Sequence, residues 1–94
     1  MEKLLTVSVA AYNVADYIRS TLDSVIHPDC IDRMEILVVD DGGTDETLSI
    51  VKEYEEKYPN SVFGIHKENG GYGSVINTSI RRATGKYFKQ LDGD

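Results

Sequence analysis

Apolar and polar positions along this chain change period several times, and each change marks an element. Residues 4–10 (LLTVSVA) form a β-rich apolar run, continuous enough for a strand covered on both faces. Val14, Tyr17, Ile18, Leu22, Val25 and Ile26 then recur at helical spacing, which predicts one apolar stripe on a helix of about three turns. Pro28 stops that helix, because the residue before a proline is pushed out of the helical region. Residues 35–39 (EILVV) predict a second strand that ends in the acidic pair Asp40-Asp41, with Gly42-Gly43 as a turn. Thr44 then reads as the N-cap of a second helix, with Asp45 and Glu46 in its first turn. Its inward stripe is Ile50, Val51, Tyr54 and Tyr58, and Pro59-Asn60 ends it. Residues 62–66 (VFGIH) predict a third strand, followed by the glycine-rich loop of residues 69–73. Val75, Ile76, Ser79, Ile80 and Ala83 supply a third helical face, Gly85 stands where a C′ glycine belongs, and residues 86–91 predict a fourth strand. The order β-α-β-α-β-α-β predicts an α/β chain: a half-Rossmann, mainly parallel sheet of about four strands with helices on both faces.

In an open α/β sheet, ligands bind beyond the carboxyl ends of the strands. Those ends carry Ala11-Tyr12-Asn13, Asp40-Asp41-Gly42-Gly43, Glu68-Asn69-Gly70-Gly71 and Asp92-Gly93-Asp94. Polar, acidic and glycine residues therefore gather at all four. Asp92 and Asp94 lie two apart, on one side of an extended segment. Two carboxylates so placed repel unless a cation stands near them, and a hard divalent ion with oxygen ligands resolves the conflict. Asp40 reads equally well as a turn or cap residue, whereas Asp41 suits hydrogen bonds from a base or ribose. Tyr12 suits either a lid over the core or a ring stacked on a base. The glycine loop matches neither G-x-G-x-x-G nor a Walker loop, which excludes the usual dinucleotide oxidoreductases and P-loop NTPases. His27 and His66 read as structural residues, and the charged stretch of residues 52–57 as a solvated face.

Composition narrows the partners. Ninety-four residues make at most one small domain, with 40% hydrophobic and 28% charged residues in an ordinary globular balance. The net charge of −6, with no basic run, argues against nucleic acid and against a polybasic membrane anchor. The single cysteine, Cys30, has no intramolecular partner and fits a reducing compartment. A cytoplasmic location, at or near the inner face of the membrane, is therefore expected.

The ordered pieces resemble one family. Val7-Ser8-Val9, Tyr12-Asn13, Tyr17-Ile18, Leu22-Asp23-Ser24-Val25, the run from Glu35 through Asp45, Glu68-Asn69-Gly70-Gly71, Asn77, Ala83-Thr84-Gly85-Lys86-Tyr87 and Leu91-Asp92-Gly93-Asp94 are similar, in order, to family 2 glycosyltransferases. The resemblance covers nearly the whole chain. It implies a GT-A fold and the donor-binding half of an inverting transferase that builds cell-wall or other polysaccharide. The donor it implies is a nucleotide-diphosphate sugar, a UDP-sugar first, and the acceptor a glycan or a lipid-linked glycan. It places the nucleotide sugar on Ala11, Tyr12, Asp41, Asn69 and Asp92, with the nucleoside on Tyr12 and Asp41, and the ribose and a Mg²⁺ or Mn²⁺ on Asp92 and Asp94.

Three departures stand out. Gly43 replaces a usual serine, Ala10-Ala11 replace a Pro-Thr/Ser, and Val75-Ile76 stand where an Ala-Arg is common. Arg81 or Arg82 is a candidate substitute for that arginine. In the family, the acceptor half and the general base lie downstream of the D-x-D. No residue here is therefore assigned to catalysis, and residues 1–94 are expected to be the donor-binding part of a longer protein, inactive alone and prone to self-association. The alternatives are a vestigial partner module and a receiver-type acidic pocket. A receiver needs an aspartate at the end of the third strand, where Ile65-His66-Lys67 stand.

Overall fold

The computed structural model describes residues 2–93. Strands and helices alternate: β1 (Leu5–Ala11), α1 (Ile18–Val25), β2 (Met34–Asp41), α2 (Thr47–Lys57), β3 (Val62–Lys67), α3 (Tyr72–Arg82) and β4 (Tyr87–Asp92), with a 3-10 turn at Ile31–Arg33 before β2. The strands pair in parallel, in the order β3-β2-β1-β4. The chain thus steps outward from β1 to β3, then crosses back to place β4 on the far side of β1.

That reversal decides which face each helix covers. Right-handed crossovers in opposite directions must pass on opposite faces of a sheet. Ile18 and Leu22 of α1 and Ile50 and Val51 of α2 pack with Val7, Val9, Ile36 and Val38 on one face. Val75 of α3 packs with Leu37, Val39 and Ile65 on the other. Alternate residues of β1 and β2 serve the two layers, as a strand's period of two requires. All eight residues of β2 are buried.

Four sequence expectations need correction, and each has a local cause. The first helix begins at Ile18, not Val14, and Tyr17 is exposed rather than part of the stripe. The Val14 and Ala15 N–H groups are taken instead by Thr47 Oγ1 (3.1 Å) and Asp45 Oδ2 (3.0 Å) across the loop. Thr44 does not cap the second helix. Its own N–H donates to Asn13 Oδ1 (2.7 Å), while Asp45 Oδ1 accepts the Thr47 N–H (3.0 Å) where α2 begins. Ile80 is exposed, because α3 lies over β1 and β2 and nothing covers its outer side. Gly85 is not a left-handed cap: positive φ among glycines is confined to Gly42 and Gly71, and α3 ends in extended backbone at Ala83. Gly85 is small because it presses on β1, where an added Cβ would lie 2.5 Å from the Thr6 nitrogen.

The face of β1 under α3 is polar, which the apolar reading of that strand did not anticipate. Thr6, Ser8, Glu35 and Ser79 are buried there. Glu35 accepts hydrogen bonds from Thr6 Oγ1 (2.8 Å), Thr84 N–H (2.8 Å) and Thr84 Oγ1 (2.9 Å), while Ser8 and Ser79 bond each other. A buried carboxylate so satisfied pins the α3–β4 turn to the sheet. Glu35→Ala strands those donors and is expected to lower unfolding free energy by about 2 kcal/mol in urea titration. Glu35→Gln is expected to cost under about 1 kcal/mol, because the Thr84 hydroxyl can turn to accept from the new amide.

Candidate donor-binding site

The sheet's order reverses between β1 and β4, and a cleft opens at that switch point, at the carboxyl ends of the strands. Its volume is about 320 Å³. That is at the lower end of the roughly 300–1,000 Å³ that small-molecule sites occupy. From β1 come Ala10 and Ala11, from the loop just after it Tyr12, from β2 Asp41, from the β3–α3 loop Asn69, and from β4 Asp92. The five residues expected from the sequence to bind the nucleotide sugar, Ala11, Tyr12, Asp41, Asn69 and Asp92, therefore line one cleft. Val14, Tyr72 and Val75 line it too and were not anticipated as site residues. Val75 belongs at once to the cleft and to the core stripe of its helix, and Tyr72 stands between two glycines.

Asp41 is the best-anchored group in the cleft. Its carboxylate accepts from Lys67 Nζ (2.9 Å) and Gly70 N–H (2.8 Å) at Oδ1, and from Gly71 N–H (2.9 Å) at Oδ2. Lys67 and Asp41 are 18% and 9% exposed at their side chains, so the pair is largely withdrawn from water. Burial by itself raises the Asp41 pKa, but the Lys67 hydrogen bond and the two glycine amides outweigh it and hold the carboxyl below the usual aspartate range. The sequence pointed to a carboxylate free for a base or ribose. The structure shows one already accepting three bonds, with room at Oδ2 for another.

Around Asp41 the loops are stitched together. Asn69 Nδ2 donates to the Asp41 carbonyl (3.0 Å), and Gly42, at φ +79, comes so close to Asn69 that a Cβ would lie 2.7 Å from its nitrogen. Asp40 takes the turn role: Oδ1 accepts the Gly43 N–H (3.2 Å) and Oδ2 bonds His66 Nδ1 (3.1 Å). A Cβ at Gly43 would lie 2.5 Å from Asp40 Oδ1 and 3.0 Å from Asn13 Oδ1, which explains glycine where the resembled family favours serine.

Asp92 pairs in register with Ala10 and is exposed at the mouth of the cleft. Gly93 holds it there, donating to the Ala10 carbonyl (2.8 Å) while its own carbonyl accepts from Thr21 Oγ1 (2.8 Å). Asp94, the other expected metal ligand, lies outside the described residues. Among those residues no group of three acidic, histidine or cysteine side chains is placed to hold a metal. Arg81 and Arg82 fall in the last turn of α3, whereas the cleft is at its first. At 1.5 Å per residue they stand roughly 9–15 Å along the helix from Val75 and Tyr72, the cleft-lining residues of α3.

The description "Glycosyl transferase family 2" matches this chain over residues 6–94. The chain belongs to that family. Among curated relatives it is 37% identical over 91 residues to chondroitin synthase of Escherichia coli, covering 97% of this chain and 13% of that protein. It is 33% identical over 90 residues to the minor teichoic acid biosynthesis protein GgaB of Bacillus subtilis, covering 95% of this chain and 10% of that one. Among solved structures, the mannosyltransferase PcManGT from Pyrobaculum calidifontis, in complex with GDP-Man and Mn²⁺, superposes with a TM-score of 0.87 at 32% identity, over 100% of this chain and 28% of its own. TarS 1–349 of S. aureus, in complex with UDP-GlcNAc, follows with 0.82 at 33%, over 97% and 26%. The family 2 chain described here thus spans less than a third of the length of each of these proteins. Its four-stranded sheet is the GT-A arrangement of those neighbours.

Proposed function

We propose that this chain is the donor-binding part of a glycosyltransferase that moves a sugar from a nucleotide-diphosphate sugar to an acceptor hydroxyl, with inversion. One observation carries the reading: the ends of all four strands meet at one switch-point cleft that is lined by an aromatic ring, an anchored carboxylate and an exposed one. Membership of family 2 and the nucleotide-sugar complexes of two neighbours support it. The family weighs against the receiver-type alternative.

The roles follow from the chemistry of each group. Asp41, held by Lys67 and two amides, offers its remaining lone pairs to a base N–H. Asp92, exposed and extended, offers a hard oxygen to a Mg²⁺ or Mn²⁺, an ion that takes one or two carboxylates and completes its shell with phosphate oxygens. The donor set fits that ion, which would neutralise charge on the departing diphosphate. Asp94 is the second ligand proposed. No residue of this chain is assigned the deprotonation of the acceptor. A UDP-sugar is the donor proposed, on the family resemblance and on the UDP-GlcNAc complex of one neighbour. The acceptor proposed is a glycan or lipid-linked glycan, at the cytoplasmic side of a membrane.

Titration calorimetry of the chain with UDP and with GDP checks this. UDP is expected to bind in the presence of Mn²⁺ and to lose most of its affinity in EDTA. Absence of binding by both nucleotides, with and without Mn²⁺, sinks the proposal.

A further inference from the structure

Tyr72 has no role in the reading above, yet its surroundings are those of a ligand contact. It opens α3 and lines the cleft, and it is 53% exposed, matched by Tyr12 at 54% on the β1 side. Of the exposed tyrosines among the described residues, Tyr17 and Tyr87 lie elsewhere, so these two are set apart by position. The glycines on either side of Tyr72 leave its flanks bare: a Cβ added at Gly71 or at Gly73 would meet nothing within 4 Å. A large amphipathic ring is thus presented to the cleft with no protein packing around its neighbours.

The base of that ring is nevertheless fixed. Gly71 takes φ +88, a conformation that costs glycine little, and its N–H is bonded to Asp41 Oδ2 (2.9 Å). The carboxylate proposed to meet a base N–H therefore also positions the residue that precedes Tyr72. Charge in the cleft points the same way. Among the described residues its lining carries two carboxylates, Asp41 and Asp92, and no Lys or Arg. An anionic ligand gains nothing from side-chain charge there, so the part of a nucleoside diphosphate that the walls can hold is the flat, neutral base.

We infer that Tyr12 and Tyr72 are the two sides of an aromatic clamp on the donor's nucleobase, with Asp41 reading the base edge between them. The inference rests on the donor-site reading and adds a binding residue to it. Stacking on an aromatic ring is tolerant of base identity, because every base has a π-face. The clamp therefore supplies affinity, and discrimination among bases falls to Asp41.

The test compares UDP and inorganic pyrophosphate, each with Mn²⁺, as ligands of the chain and of three variants whose fold is checked by circular dichroism. Tyr72→Ala and Tyr72→Leu are expected to weaken UDP binding roughly 5- to 150-fold, the span that loss of one base-stacking ring produces. Both are expected to leave pyrophosphate binding unchanged. Tyr72→Phe, which keeps the ring, is expected to bind UDP within about twofold of the parent, as an exposed position whose hydroxyl has no hydrogen-bond partner among the described residues allows. Equal UDP affinity in parent and Tyr72→Ala overturns the clamp while leaving the donor site standing. A parallel fall in UDP and pyrophosphate affinity also overturns it, since the loss would then lie in the loop rather than in the ring. A parent chain that binds neither ligand removes the donor site and the clamp together.

Discussion

Asp41→Ala is expected to cost the chain about 3–5 kcal/mol of stability and to abolish nucleotide binding. The stability loss has two sources. Lys67 Nζ, which donates to Asp41 Oδ1 at 2.9 Å, is left as a mostly buried charge whose remaining partner among the described residues is the Glu68 carbonyl. Removing one partner of a buried pair costs about that much, because the other charge remains desolvated. The Gly70 and Gly71 amides lose their acceptor as well, so the turn that leads into α3 is released. Against a total stability of about 5–15 kcal/mol for a small domain, this single change takes a large share. Denaturant titration reads the first effect and calorimetry with UDP and Mn²⁺ the second. A variant that keeps its denaturation midpoint would show that the Lys67 pair and the amide contacts contribute little.

The same carboxylate sets an acid limit. Folding lowers the Asp41 pKa, so on acidification the unfolded chain takes up the proton first. Its contribution is therefore complete above the unfolded value, about pH 4, and is lost as pH falls through the lower folded value. Asp45 acts in the same direction. Burial raises its pKa, but hydrogen bonds from the Thr47 hydroxyl and from the Ala15 and Thr47 N–H groups outweigh that and lower it.

Gly85→Ala is expected to destabilise by about 3 kcal/mol or more, at or beyond the upper end of ordinary overpacking. A methyl group there would lie 2.5 Å from the Thr6 nitrogen, 2.6 Å from Thr6 Oγ1 and 2.8 Å from the Leu5 carbonyl carbon. Two of those atoms are backbone of β1, which is paired on both edges and cannot yield locally. The Gly85 N–H also donates to Thr6 Oγ1 (2.8 Å), a bond that any retreat would stretch. The change sits at the opposite end of β1 from the cleft, so lost nucleotide binding would follow only from lost fold. A melting temperature measured with and without UDP separates the two. An unchanged melting temperature would mean that the turn from Ala83 to Gly85 moves freely.

The contrast between these two residues shows how much was legible beforehand. Asp41 was singled out because an acidic pair ends an apolar run, and strand ends are where α/β sheets bind ligands. Nothing in the order of residues said that Lys67, twenty-six positions on, would already hold that carboxylate. Gly85 was noticed for its place after a helical stripe and assigned a left-handed cap. Its real constraint is the approach of β1, seventy-nine positions earlier, to the turn before β4.

By itself the sequence determined the class of the fold, the alternation of its elements, the strand ends where the site lies and the family whose ordered residues it carries. Those are local properties: periodicity, breakers and the polarity of short segments, each readable within a few residues. The tertiary structure alone decided that β4 lies beside β1, because the placing of a parallel strand depends on a crossover and not on the strand's own residues. From that placing follow the cleft and the two faces of the sheet, while the β2–β3 register sets Asp41 opposite Lys67 and so their bond. These depend on contacts between segments far apart in the chain, which no local pattern records.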